Sequence, residues 1–117
     1  MERLKAGDYE ISLARWGADY SDPTSYLNNW RSGNRENYGG WSCEEYDRLL
    51  ADAADTQNAQ VRWGILQKAE KIAMENVAVI PLCEKRDVVL VKPYVGGIET
   101  HAIALNHVYK NSFVVDP

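Results

Sequence analysis

The segment RWGADYSDPTSYL, residues 15–27, carries more information than any other part of this chain. It places Asp19 just after a half-apolar, strand-like segment and just before the turn that Asp22-Pro23 predicts. The aromatic residues Trp16 and Tyr20 stand on either side of the Asp19 carboxylate in the sequence. A carboxylate among aromatic rings is suited to a cation, because both the ion pair and the ring faces attract positive charge. The segment therefore predicts a cation-binding site at Asp19.

Residues 15–27 resemble a motif of the family-5 extracellular solute-binding proteins, G-W-x-A-D-Y-x-D/E-P-x-S-F/Y-L, with Arg15 in place of the usual small residue. Two later stretches resemble the same family, VIPL at residues 79–82 and VKPYVGG at residues 91–97. The helix that the family has before them is expected around residues 69–72. Order and spacing agree over most of the 117 residues, so the resemblance is strong.

The resemblance implies an α/β fold, namely the C-terminal part of the second lobe of a bilobal receptor with a periplasmic-binding-protein type II-like fold. The receptors of that family are several times longer than this chain, so residues 1–117 are expected to be a single fragment. Its final strands, at about residues 98–117, are expected to cross toward the first lobe.

The function that the resemblance implies is capture of oligopeptides or dipeptides in a two-lobe cleft and delivery to the permease of an ABC importer. The expected location is the periplasm, or the outer surface of a Gram-positive bacterium as a membrane-anchored lipoprotein. The partners are then the peptide and, through the full-length receptor, the permease subunits. Neither catalysis nor a cofactor is expected. A fragment with exposed sheet edges is expected to self-associate.

Four residues are candidates for contact with a ligand: Trp16, Gly17, Asp19 and Lys85. The resemblance implies that Asp19 binds the α-amino group of the ligand. Gly17 would let the main chain of an extended ligand approach closely, and Trp16 would form a flat apolar wall. Lys85 lies in CEKR, residues 83–86, which replaces the tyrosine-rich run of many relatives. There it would pair with a carboxylate of the ligand.

Each candidate also has a plainer interpretation. Asp19 could cap the turn that follows it, Trp16 could pack in the core, and the charges at residues 83–86 could decorate an exposed hairpin. His101 and His107 are six residues apart and favour surface positions over a metal site. The alternative functions are an interaction module, a receptor for a sugar or a metal complex and, with least support, a hydrolase. The sequence contains no hydrolase, zinc-peptidase or nucleotide-loop motif.

Charge and cysteine content narrow the remaining function classes. The net charge is −4, with acidic and basic residues interspersed, which argues against binding to nucleic acid or to an anionic membrane surface. Cys43 and Cys83 leave both a disulfide and two free thiols open. No apolar stretch reaches the roughly 18 residues that a membrane span needs.

The first half of the chain predicts one strand, a short helix and a longer helix. Residues 9–13 alternate apolar and polar, which is typical of a strand with one buried face. Residues 24–30 predict a short helix and residues 31–40 a loop. Ser42 and Glu45 match a capping box that would begin the longer helix. Its buried stripe is predicted to be Tyr46, Leu49, Leu50 and Ala53.

The second half predicts one more helix and then strands. The helix covers residues 59–76, and its inward residues are predicted to be Ile65, Ala69, Ile72 and Ala73. Residues 77–82 and 88–91 are apolar runs that predict strands buried on both faces, and residues 108–115 predict a last strand.

Overall fold

The structure is a computed structural model, and it describes residues 2–84, 86, 88–101 and 107–115. Its elements combine helices and short strands, so the predicted mixture of helix and strand is confirmed. The helices are α1 (Glu2–Lys5), α2 (Thr24–Leu27), a 3₁₀ helix (Asn28–Trp30), α3 (Glu44–Asp55) and α4 (Ala59–Glu75). The strands are β1 (Val95–Gly96), β2 (Glu99–Thr100), β3 (His107–Val108) and β4 (Phe113–Val114).

The core lies between α3 and α4, the two elements that pack together most extensively. Apolar side chains recur at helical spacing on one face of each helix, so pairing the two faces removes both from water. The predicted helices and most of their inward residues are confirmed, while Leu66 is buried in place of the half-buried Ile65. The fully buried members of this core are Tyr46, Leu50, Ala53, Leu66, Ala69 and Ala73.

Helix α2 and the 3₁₀ helix dock on this pair, which confirms the predicted short helix at residues 24–30. Leu27 is buried in the core cluster, and its carbonyl oxygen accepts a 2.6 Å hydrogen bond from the hydroxyl of Tyr46. Burial raises the pKa of the Tyr46 hydroxyl, so this group stays a donor at any ordinary pH. The edge of Trp41 packs against the Tyr46 ring at 4.9 Å between centroids.

The predicted loop at residues 31–40 is confirmed, but the predicted capping box is wrong. Helix α3 begins at Glu44, so the cap position falls on Cys43, which is extended and makes no side-chain cap bond. Ser42 lies one residue too early, and its hydroxyl instead lies 3.0 Å from that of Ser32. Three acidic residues in the first turn, among them Glu45, stabilise the helix start through the macrodipole.

Three strands predicted from apolar patterns are wrong. Residues 9–13, 77–82 and 88–91 contain no strand in the part of the chain that the structure describes. Most of their large apolar side chains are exposed, with Ile11 at 93% and Leu90 at 95% exposure. A strand exists only when a neighbouring strand accepts its hydrogen bonds, and an apolar pattern records the face to be buried without supplying that neighbour.

The C-terminal strands form two short antiparallel ladders. Val95 pairs with Val114 in the first ladder, and Glu99 pairs with Val108 in the second. The predicted single strand at residues 108–115 is interrupted by a turn, in which the Ser112 amide donates to the Tyr109 carbonyl at 3.0 Å. Whether residues 98–117 cross toward another lobe stays a prediction, and residues 102–106, 116 and 117 lie outside the described part.

Glycine is required at the start of this hairpin. A Cβ on Gly96 would lie 2.5 Å from the Phe113 ring, and one on Gly97 would overlap the carbonyl oxygen of Asn111. Gly97 also has a φ of +73°, which side chains other than glycine rarely adopt. The close approach of the two strands therefore depends on the absence of side chains here.

The structure also bears on the two cysteines and on membrane-spanning helices. Cys43 and Cys83 are both free thiols, and Cys83 is exposed. Of the helices in the described ranges, none has the length and hydropathy that crossing a bilayer requires.

Candidate ligand-binding site

Ser25 organises the segment that the sequence singled out. It lies in α2 and is 4% exposed. Its hydroxyl accepts a 2.8 Å hydrogen bond from the backbone amide of Asp19, and its carbonyl oxygen accepts a 2.9 Å bond from Nε1 of Trp16. One buried residue thus holds both ends of the stretch 16–19 against the helix.

The Asp19 side chain stays open although its backbone is held. The residue is exposed, and its carboxylate has no hydrogen-bond partner within the described residues. The neighbouring Asp22, rather than Asp19, caps the following turn, because its Oδ1 accepts from the amide and the hydroxyl of Thr24 at 3.0 and 2.6 Å. Among the described residues, the carboxylate of Asp19 therefore remains exposed and unpaired.

Asp22 is fixed by a second and more distant partner. Arg62 of α4 donates Nη1 to Oδ2 at 2.7 Å and Nη2 to Oδ1 at 2.9 Å, a bidentate ion pair. These bonds, assisted by those from Thr24, hold the pKa of the Asp22 carboxyl well below its usual range. The same interaction raises the pKa of Arg62. Asp22 is thus fully engaged, in contrast to Asp19.

Aromatic side chains near Asp19 are only partly covered. Trp16 and Tyr20 are 41% and 46% exposed, so the interpretation of Trp16 as a core residue does not apply within the described residues. The Tyr20 hydroxyl lies 3.3 Å from the hydroxyl of Thr24 and accepts from the Asn28 amide at 3.4 Å. Hydrogen bonds therefore orient the indole and the phenol, and both side chains remain partly exposed.

The other predicted site residues do not join this group. A Cβ on Gly17 would meet nothing within 4 Å, so the surface beside it is open and its predicted role toward a ligand stays a prediction. Lys85 lies outside the described residues, and the flanking Glu84 and Arg86 are exposed. His101 is exposed with Nε2 at 3.9 Å from Glu99 Oε2.

The described residues hold no group of three or more His, Cys, Asp or Glu side chains placed to bind a metal ion. The exposed carboxylate of Asp19 could instead pair with a cation. A charge-assisted hydrogen bond from an ammonium to this carboxylate would contribute about 1.5–3 kcal/mol.

Sequence reasoning found Asp19 and Trp16 but missed Ser25, Asp22 and Arg62. The D-P-T sequence is a local signal that could have identified Asp22 as a capping residue. Arg62 follows Asp22 by 40 positions, and no sequence pattern joins the two. The burial of Ser25 likewise depends on the folded structure and is not indicated by its neighbours in sequence.

Comparison with known proteins gives a consistent result. No protein-family model matches the chain. The chain is 37% identical over 101 residues to the probable deoxycholate-binding periplasmic protein YgiS of Escherichia coli, covering 86% of this chain and 19% of that protein. It is 32% identical over 110 residues to the periplasmic oligopeptide-binding protein OppA of Salmonella typhimurium, covering 93% of this chain and 20% of that one.

Comparison with solved structures finds proteins of the same kind as the comparison of sequences. The substrate-binding domain of an oligopeptide ABC transporter from Bacillus anthracis superimposes with a TM-score of 0.88 and 32% identity, covering 98% of this chain and 23% of that structure. The chain therefore spans about one fifth of the length of the proteins it matches. The predicted family and fold class are confirmed: this chain corresponds to a segment of the family-5 extracellular solute-binding proteins and folds as a part of their bilobal type II architecture.

Proposed function

We propose that this chain contributes the amine-binding side of a peptide cleft in a receptor that serves an ABC importer. The observation that carries the proposal is the open Asp19 carboxylate, whose backbone is anchored by Ser25 while its side chain stays unpaired in the described part. Its relatives support the ligand class, since they include proteins named for oligopeptide binding. These relatives are named as binding proteins and not as enzymes, so we propose binding without catalysis and without a cofactor.

The mechanism follows from the chemistry of these groups. An incoming ammonium pairs with Asp19, and the exposed face of Trp16 covers the adjacent part of the ligand. The open surface at Gly17 lets the ligand main chain approach closely. Closure of two lobes about a hinge then excludes bulk water, which strengthens the ion pair, while bridging waters accommodate varied side chains. Lys85 is proposed to pair with a carboxylate of the ligand.

Exposed apolar segments support the view that the chain works inside a larger receptor. Residues 9–13 and 88–91 expose apolar side chains, and their backbone has no ladder partner in the described residues. Added strands would satisfy both needs at once. We place the chain in the C-terminal part of the second lobe, with residues 98–117 crossing toward the first. Separated from the remainder, the chain is expected to self-associate through these surfaces.

The location and the partners belong to the same proposal. Relatives named as periplasmic proteins support a place outside the cytoplasmic membrane, either in the periplasm or on the cell surface as a lipoprotein. The membrane permease of the importer is then the partner that receives the ligand. Nucleic acid is not a partner, because the chain carries a net charge of −4.

A second candidate ligand comes from one relative, which is named as a probable deoxycholate-binding protein. Deoxycholate carries a carboxylate and no amine. Its negative charge would be repelled by Asp19 unless it lay at the far end of the cleft. A peptide with a free amino terminus therefore fits this site better.

Calorimetry on the full-length receptor that contains this chain tests the proposal. A peptide with a free amino terminus should bind, and its N-acetylated form should bind more weakly by about 2 kcal/mol. Asp19→Ala should cause a similar loss for the free peptide and almost none for the acetylated one. Asp52→Ala removes an exposed carboxylate from α3 and should leave both affinities unchanged. Equal binding of both peptides, or tight binding of deoxycholate alone, would refute the proposal.

A further inference from the structure

The Arg62 side chain joins three parts of the helical region. Its Nη atoms donate to both oxygens of Asp22 at 2.7 and 2.9 Å, and its Nε donates to the carbonyl oxygen of Ala53 at 3.2 Å. Arg62 lies in α4, Ala53 in α3, and Asp22 just before α2. Both partners of the ion pair are 28% exposed, so water competes only partly for these bonds.

Asp22 connects Arg62 to the start of α2. The Oδ1 atom that receives Nη2 of Arg62 also accepts from the backbone amide and the hydroxyl of Thr24. Pro23 between them has φ −56° and ψ −27°, already helical. Arg62 therefore binds the same carboxylate that accepts hydrogen bonds from the first residue of α2.

Ser25 connects α2 to the candidate site. Ser25 follows Thr24 directly, is buried, and holds the Asp19 amide and the Trp16 indole. Because Thr24 and Ser25 are consecutive residues of the four-residue helix α2, a shift of Thr24 would displace Ser25. The Asp19 backbone is thus connected, through Ser25, its neighbour Thr24 and Asp22, to a guanidinium that contacts neither Asp19 nor Trp16 in the described structure.

We infer that Arg62 is a positioning residue for Asp19, the residue whose carboxylate is proposed to bind the ligand. Arg62 acts through Asp22 and Ser25. This inference rests on the proposed function. The planar fork of arginine matches both carboxylate oxygens and still reaches Ala53, a set of three bonds whose geometry a lysine ammonium does not reproduce. Lysine should therefore restore the charge but not the position.

The first test measures position without a ligand. Residue-resolved hydrogen exchange on the full-length receptor reports the protection that Ser25 gives to the Asp19 amide. We expect Arg62→Met and Ser25→Ala to speed exchange at Asp19 roughly tenfold relative to core amides such as that of Ala69. Ile72→Val is the matched control, because it trims the far end of α4 and should lower stability without changing this ratio.

The second test measures discrimination between ligands. The ratio of dissociation constants for an N-acetylated and a free peptide should fall roughly fivefold to tenfold in Arg62→Met. Arg62→Lys should recover less than half of this loss on a logarithmic scale, and Ile72→Val should leave the ratio unchanged. A purely structural role would lower the melting temperature in Arg62→Met and keep the ratio constant.

The two tests separate this inference from the proposed function. If Asp19→Asn abolishes discrimination and Arg62→Met preserves it, the positioning role is wrong and the proposed function stands. If Asp19→Asn preserves discrimination, the proposed function fails, and exchange at the Asp19 amide alone decides whether Arg62 sets its position. Unchanged exchange in Arg62→Met and Arg62→Lys overturns the inference in either case.

Discussion

The helical region, residues 16–76, differs in apolar burial from the apolar segments on either side of it, residues 9–13, 77–82 and 88–91. The helices satisfy their backbone hydrogen bonds internally and bury one shared core. The apolar segments expose large side chains, among them Leu13 at 83% and Val88 at 85%. The radius of gyration is 18.9 Å, whereas a compact chain of this length would have about 13 Å. Helices form hydrogen bonds between residues close in sequence, so this region can fold without other segments. Strands need partners from elsewhere, so the apolar segments stay exposed in this chain.

The largest expected effect is in the core of the helical region. Leu50→Ala removes a side chain that is 3% exposed, and we expect it to lower the free energy of unfolding of this chain by about 2–5 kcal/mol. In the monomeric chain, Leu90→Ala makes the same substitution at a side chain that is 95% exposed and should change this free energy by less than about 0.5 kcal/mol. Urea unfolding followed by helical circular dichroism compares the two. Similar losses would contradict the division between the regions.

The next effect is a pH dependence that originates in the Asp22–Arg62 pair. Arg62 lowers the pKa of Asp22 in the folded state, so the carboxylate stays charged there when it would be protonated in the unfolded chain. The resulting stability is complete above the unfolded pKa of about 3.9 and is lost as the pH falls from there toward the folded pKa. We expect this group to contribute about 1–2 kcal/mol to the loss of stability in acid.

Thermal or urea unfolding between about pH 7 and pH 2 measures this contribution. Asp22→Asn should flatten the acid limb of the stability curve, whereas Asp52→Asn, at an exposed position on α3, should leave it as in the unaltered chain. An acid limb of the same depth in Asp22→Asn would show that the ion pair does not stabilise this region.

An effect of similar size, but confined to a smaller region, is expected in the C-terminal hairpin formed by β1–β4. Gly97→Ala places a Cβ against the Asn111 carbonyl at a φ of +73° and should weaken the hairpin by about 1–2 kcal/mol. The Val115 amide, which donates to Tyr94 at 2.9 Å, should then exchange faster with solvent, while helical unfolding stays unchanged. Gly39→Ala is the control, because nothing lies within 4 Å of its Cβ position. A common loss in both regions would mean that they unfold as one unit.

Sequence periodicity predicted the helices well because helical hydrogen bonds and apolar stripes are local. Tyr46, Leu50 and Ala53 were placed inward from spacing alone, and the structure buries all three. The capping box failed by one residue, since spacing does not reveal whether Ser42 or Cys43 is the last extended position. The strands at residues 9–13 and 88–91 failed because a ladder depends on a partner elsewhere in the chain or beyond it.

The candidate site divides in the same way. The local motif identified Asp19 and Trp16, and family resemblance supplied the expected ligand. The side chains that hold them were not predictable, because Ser25 is buried by packing and Arg62 reaches Asp22 across 40 positions. Lys85 was predicted from a departure from the family pattern, and its role stays a prediction.

The central claim is that Asp19 receives the ammonium of a bound ligand. A crystal structure of the complete receptor with a peptide that has a free amino terminus tests it most directly. We expect the terminal nitrogen within about 2.7–3.2 Å of an Asp19 carboxylate oxygen, with the Asp19 amide still bonded to Ser25. A bound peptide whose amino terminus lies elsewhere, with Asp19 turned toward solvent, would contradict the account.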